Sequence, residues 1–190
     1  MRVALFGGSF HPPTKGHLQV ARGVLKSGFV DEVWFVPTNR HPFADSQEKK
    51  SNMISFSLRV EMVEALIKDI DGLKVSLIEE HIGGRTWETV EALQGSFDHT
   101  FFWVIGSDCV KELPKWCKVP WLLENITFIV YPRRDSPLST ADVVLLKDHI
   151  IIEAEESPFE DMSSTKARED PDGGFMTPEV RDLWKLAAEE

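Results

Sequence analysis

Six short apolar runs, each separated from the next by enough chain for a crossover, constrain this sequence more than any other feature. They are Arg2 to Phe6, Glu32 to Val36, Leu73 to Leu77, Thr100 to Ile105, Ile126 to Tyr131 and His149 to Glu153. Runs of this kind suit buried strands, and strands alternating with helical segments predict an α/β protein, a doubly wound parallel sheet with helices on both faces. Helices are expected at His17 to Lys26, Ser55 to Lys68, Thr86 to Leu93, Ser107 to Leu113, around Trp121 to Leu123, at Ser164 to Glu169 and at Pro178 to Ala188. A chain of 190 residues fits one domain over 1–190, with a short C-terminal helical extension from about 176. The polar stretches Ala44 to Ser57 and Asp170 to Met176 read as mobile loops able to close over a ligand. Ligands in open α/β sheets sit beyond the carboxyl ends of the strands, where Gly7, Pro37, Gly106 and Asp108 would converge.

Two helix starts carry the chemistry. The first follows Gly7-Gly8-Ser9-Phe10-His11-Pro12-Pro13, in which the glycines let backbone approach a ligand and the prolines stiffen the loop. Thr14 can cap the helix, whose apolar positions Leu18, Val20, Ala21, Val24 and Leu25 form a rough face that leaves His17 near the mouth. The second is Ser163-Ser164-Thr165-Lys166-Ala167-Arg168. Both place basic residues in a first helical turn, where the backbone dipole disfavours them and an anion would remove the conflict. Free N–H groups at both helix heads, with Lys15, His17, Lys166 and Arg168 beside them, could jointly hold a polyphosphate. Taken alone, Thr14 is a plain cap and His17 an ordinary polar residue. The glycines, the loop and the distant second site together turn the reading toward anion binding.

The run Gly7 to His17, with Thr14-Lys15-Gly16-His17 at its end, resembles the (H/T)xGH signature of the nucleotidylyltransferase superfamily, and Ser163 to Arg168 resembles its second phosphate-binding motif. Intervening segments resemble the bacterial nicotinate-nucleotide adenylyltransferase family: Val33 to Thr38, Leu58 to Met62, Thr86 to Val90, and Ile105-Gly106-Ser107-Asp108 followed by Leu113-Pro114-Lys115-Trp116. The match runs from Arg2 to about Arg168, with a weaker echo at Thr177 to Val180. Departures are Thr14 in place of the commoner histidine, a variant that phosphopantetheine adenylyltransferase also uses, His41-Pro42-Phe43-Ala44 without the usual basic residue, Gly84-Arg85-Thr86, and Cys117 after Trp116.

The resemblance implies a Rossmann-like fold and Mg2+-dependent transfer of AMP from ATP to nicotinate mononucleotide, releasing pyrophosphate. Nicotinamide mononucleotide or phosphopantetheine as acceptor, and a nucleotide-binding protein without turnover, stay open. It implies that His17, Lys166 and Arg168 are catalytic, and that ATP is bound by Gly7, Gly8, Ser9, Phe10, Thr14, Gly16, His17, Gly106, Asp108, Ser163, Ser164, Thr165, Lys166 and Arg168. Asp108 would take a ribose hydroxyl, or serve only as a helix cap. Thr38, Arg85, Thr86 and Trp116 would face the acceptor, with the Trp116 indole stacked on its pyridine ring; Arg85 as a solvated surface charge is the plain alternative. The chain would supply few direct metal ligands, since Mg2+ keeps several waters in nucleotide sites.

Composition sets limits. A formal net charge of −10 argues against a broad nucleic-acid surface. No apolar run approaches the roughly 18 residues of a membrane span and no charged-then-apolar leader opens the chain, so a cytoplasmic enzyme is expected. Cys109 and Cys117 are too few for a disulfide framework and lack histidines at zinc-finger spacing. Of the six tryptophans, Trp34 and Trp103 lie inside apolar runs and are expected in the core. Oligomeric state is open, a homo-oligomer included.

Overall fold

The six apolar runs become six strands of one sheet: β1 (Arg2–Gly8), β2 (Glu32–Pro37), β3 (Leu73–Val75), β4 (Thr100–Gly106), β5 (Thr127–Tyr131) and β6 (Ile150–Ile151). The structure, a computed structural model, describes residues 1–39, 53–153 and 162–187. Every strand pairing is parallel, and the spatial order is β3-β2-β1-β4-β5-β6. The order reverses between β1 and β4, which opens a crevice at their carboxyl ends, the usual ligand position of a doubly wound sheet.

Helices cover both faces: α1 (Lys15–Lys26), α2 (Phe56–Ile67), α3 (Thr86–Ser96), α4 (Ser107–Val110), α5 (Val119–Asn125), α6 (Thr140–Leu145), α7 (Ser164–Glu169) and α8 (Pro178–Ala187). Alternation along the strands divides the core in two. Val3 and Leu5 pack with Trp103, Phe128, Leu93 and Leu122 on one side, while Ala4 packs with Phe35, Val24, Met62 and Ile129 on the other. Burying each large side chain contributes about 1.5–3 kcal/mol, so two filled faces account for strands that carry no polar alternation. Trp34 and Trp103 are buried, as their place in apolar runs predicts. Gly7 makes room for the latter: a Cβ there would lie 2.5 Å from Trp103 Cζ2.

Several boundaries differ from the sequence expectation, each for a local reason. β3 ends at Val75, two residues short of the expected Leu77, and the chain turns away in a 3-10 turn over Ile78–Glu80. α4 stops at Val110 rather than Leu113, because Pro114 has no N–H to return to the Val110 carbonyl; a 3-10 turn over Leu113–Lys115 follows. α6 has no counterpart in the sequence reading. It is a six-residue helix with no buried residue, held by a box in which Ser139 Oγ accepts the Asp142 N–H. Asp170 to Met176, expected to be mobile, is anchored: the Phe175 carbonyl accepts the Lys15 N–H at 2.9 Å and Met176 is buried. Residues 44–52 of the other expected loop, and Ala188 at the predicted end of the last helix, lie outside the described residues. Ser55, at that loop's end, instead caps α2 by accepting the Leu58 N–H.

Candidate active site

Thr14 enters α1 with extended backbone, which turns its N–H toward the first helical turn. That N–H donates to His17 Nδ1 at 3.0 Å, and Thr14 Oγ1 lies 2.8 Å from the same nitrogen. With Nδ1 accepting, the ring proton belongs on Nε2. Burial, with the positive charge of Arg133 second, pushes the imidazole down to about 4, so His17 is a neutral N–H donor at pH 7. Phe10 and Phe6 wall the ring at centroid distances of 5.2 and 6.0 Å. Phe10 and Thr14, expected among the ATP contacts, are both buried, and their side chains face His17.

Beneath this loop lies a residue that sequence reading missed as a support. Arg59 of α2 is 1% exposed and donates to the Ser9 carbonyl at 2.7 Å and the Ile54 carbonyl at 3.2 Å. Burial lowers it only to about 10, so it stays charged at neutral pH and places a fixed cation under the glycine loop. Its signal was position: the only basic residue within an otherwise apolar and acidic helix, Leu58 to Ile67.

The second motif docks onto the first. Ser163 Oγ accepts the Lys166 N–H at 3.2 Å and so caps α7. Ser164 Oγ donates to the Pro12 carbonyl at 2.8 Å, and Arg168 Nη1 donates to the His11 carbonyl at 2.6 Å. Arg168 Nη2 reaches Thr165 Oγ1 at 3.1 Å. Thr165, Lys166 and Arg168 are exposed.

At the switch point a cavity of about 250 Å³ is lined by Gly7, Gly8, Gly16, His17, Gly106, Asp108, Ser163 and Ser164, all of them expected ATP contacts. Its lining also includes Tyr131 and Arg133, which the sequence reading did not single out. Arg133 Nη1 lies 3.7 Å from Asp108 Oδ2. Ser107 Oγ fixes this corner by donating to the Ser136 carbonyl at 2.7 Å while accepting the Arg133 N–H at 2.8 Å. Pro132-Arg133-Arg134 at the carboxyl end of β5 was the available clue, since that is where the fold puts ligand contacts. Cys109 also lines the cavity, with burial pushing its thiol up to about 11, which makes it a poor nucleophile.

Thr38, Arg85, Thr86 and Trp116 lie outside the lining of this cavity. Thr38 continues the β1–β2 ladder, its N–H donating to the Gly8 carbonyl at 2.9 Å. Arg85 stands at the N-cap position of α3 without a side-chain capping bond and is exposed, while Thr86 opens the helix, so the first-turn N–H groups of Thr86 and Trp87 have no intrahelical carbonyl to meet. Trp116 is half-buried, its ring edge-on to Phe128 at 6.4 Å. Lys118 Nζ stands 3.2 Å over the Trp87 ring.

A doubly wound parallel sheet with two cation-flanked helix heads at its switch point defines a nucleotidyltransferase type of site, and residues 5–170 match the cytidylyltransferase-like family. The chain is 33% identical over 171 residues to the nicotinate-nucleotide adenylyltransferase of Bacillus subtilis, covering 88% of this chain and 84% of the relative. Among solved structures, it superposes on the Plasmodium falciparum nicotinic acid mononucleotide adenylyltransferase complexed with NaAD at a TM-score of 0.83, with 17% identity, covering 97% of this chain and 95% of that one. The same Plasmodium enzyme complexed with APC superposes at 0.80, with 18% identity over 97% of this chain and 94% of that one. The chain belongs to the nicotinate-nucleotide adenylyltransferase family, and is a nucleotidyltransferase.

Proposed function

We propose that this enzyme transfers AMP from ATP to nicotinate mononucleotide, with the acceptor phosphate attacking the α-phosphorus and pyrophosphate leaving. The observation that carries this reading is the joining of the two anion-ready motifs, through Ser164 to Pro12 and Arg168 to His11, around a histidine whose Nδ1 accepts the Thr14 N–H, which assigns the ring proton to Nε2. An in-line displacement needs no protein nucleophile. It needs positioning and stabilisation of charge as it develops on the transferring phosphoryl group. His17 donates Nε2–H to that group, while Lys166, Arg168 and the α7 head hold the β- and γ-phosphates. Gly7, Gly8 and Gly16 let backbone approach the nucleotide, and Asp108 takes a ribose hydroxyl.

Mg2+ enters with the triphosphate. Among the described residues Asp108 is the one carboxylate lining the cavity, and it faces Arg133, so phosphate oxygens and water are the fitting ligands and the ion's contribution is charge neutralisation. On the acceptor side, Thr38, Arg85, Thr86 and Trp116 receive the pyridine nucleotide, the N-terminal N–H groups of α3 meeting its carboxylate and the Trp116 indole its ring. The reaction belongs to cytoplasmic biosynthesis of a dinucleotide.

Incubation of the purified protein with ATP, Mg2+ and each acceptor separately, with products identified by mass, tests this reading. The expected result is the nicotinate dinucleotide and pyrophosphate, abolished by chelation of the metal. Turnover confined to phosphopantetheine would overturn it.

A further inference from the structure

Glu79 is a carboxyl group in an unexpected place. It sits in the 3-10 turn after β3, is 3% exposed, and receives a hydrogen bond from Thr89 Oγ1 in the first turns of α3. The Thr89 hydroxyl also lies 3.3 Å from the carbonyl of Arg85, the residue at the N-cap position of that helix. Just beyond β2, Asn39 Nδ2 donates to the Glu80 carbonyl at 3.4 Å, so the chain that leaves β2 through Thr38 and the helix that begins with Thr86 are both tied to this turn. The second oxygen of Glu79 has no hydrogen-bond partner among the described residues, and neither does Glu88 Oε2. Glu79 is buried and Glu88 half-buried, each with an oxygen shielded from solvent, and both stand close to the α3 head proposed to receive an acid. A polar group buried without a partner is costly, and a charge more so.

We propose that Glu79 is a positioning and specificity-determining residue for the acceptor: a buried carboxyl behind the head of α3 that favours an acidic pyridine ring while uncharged and disfavours it once ionised. The inference rests on the proposed acceptor site at Thr38, Arg85 and Thr86. Its physical basis is competition for one electrostatic resource. The first-turn N–H groups of α3 present a positive potential to the ring carboxylate, and a negative charge set behind the same turn cancels part of it. An acceptor with a carboxamide in place of the carboxylate does not feel that loss.

The state of Glu79 is set by its surroundings. Burial pushes its carboxyl up to about 7, with the charge of Glu88 on α3 adding to the rise, while the Thr89 hydroxyl and the Asn39 backbone N–H oppose it. Its neighbour Glu80, on the same turn, is exposed, and Thr38 and Asn39 on the β2 side carry no charge. Glu79 therefore changes charge around neutral pH.

The test is the pH dependence of the kcat/KM ratio for nicotinate over nicotinamide mononucleotide. Titrations of ATP and of the acceptor phosphate are common to both substrates and cancel in the ratio. In the wild type the ratio falls by roughly tenfold between pH 6 and 8. In Glu79→Gln, which keeps an oxygen for Thr89, it stays flat near the acidic-side value. Binding of the acid acceptor at pH 7 in weak buffer also takes up more protons than binding of the amide, measured on the wild type alone. A flat wild-type ratio, or a Glu79→Gln ratio that follows the wild type, overturns the proposal while leaving adenylyl transfer intact. Turnover with neither pyridine nucleotide overturns the underlying reading and the proposal with it.

Discussion

The Ser164 hydroxyl donates a hydrogen bond to the backbone carbonyl of Pro12 at 2.8 Å, across 152 residues of chain. Together with Arg168 on the His11 carbonyl at 2.6 Å, it fastens the second phosphate motif to the loop of the first. Ser164→Ala removes the shorter-reaching of these ties. A net cost of about 1 kcal/mol in stability is expected, with a several-fold rise in the KM for ATP and less change in that for the acceptor. Steady-state kinetics with each substrate varied in turn checks the split, and equal rises would contradict it.

Gly7 is required by packing as well as by any ligand. Gly7→Ala sets a methyl 2.5 Å from the ring of Trp103, which is 5% exposed and has little room to retreat. Overpacking of this kind costs about 1–3 kcal/mol. Urea denaturation measures it, and pairing Gly7→Ala with Trp103→Phe recovers part of the loss. No recovery in the double variant would place the strain elsewhere.

His17→Ala should lower kcat by roughly a hundredfold, the usual loss when a donor to developing charge is removed. A stability consequence follows from its ionisation. The imidazole sits near 4 in the folded protein against 6.5 unfolded, so between those values the unfolded chain binds more protons. The contribution is fully present above pH 6.5 and is lost as pH falls through 4. From pH 7 to pH 5 the wild type should lose stability, on the order of 1 kcal/mol, that His17→Gln does not lose, read from urea midpoints at the two pH values.

Lys166→Ala and Arg168→Ala should weaken ATP binding, since each removes a charge-assisted phosphate contact, and Arg168→Ala also frees the His11 carbonyl. Trp116→Ala should mainly raise the acceptor KM, since its aromatic face is lost on that side. Calorimetric titration with a non-hydrolysable ATP analogue separates the two groups. Equal loss of nucleotide affinity in all three variants would refute the division of the site.

Arg85 is exposed at the head of α3, where a guanidinium can meet an incoming carboxylate. Arg85→Gln should reduce the preference for nicotinate over nicotinamide mononucleotide by roughly tenfold in kcat/KM, about one charge-assisted hydrogen bond. An unchanged ratio would leave Arg85 a solvated charge.

The amino-acid sequence by itself determined the strands, because runs such as Val33 to Val36 and Phe101 to Ile105 have no polar face to offer solvent and must be covered on both sides. It also carried the two helix heads, since glycines, a cap and misplaced cations are local signals. What only the tertiary structure decided were relationships between distant residues. The hydroxyl of Ser164 reads as a spare helix-start residue until folding sets it on Pro12, and Arg133 reads as one of two adjacent arginines until β5 lies beside β4 and brings it to Asp108. Thr14 and Phe10 are a related case: both belong to the motif, but only packing shows that their side chains turn inward onto His17. Glu79 was illegible, and Arg59 was marked only by its lone position in an apolar and acidic helix, because burial of a charged group is a property of the space around it, and that space is built from strands and helices far apart in the chain.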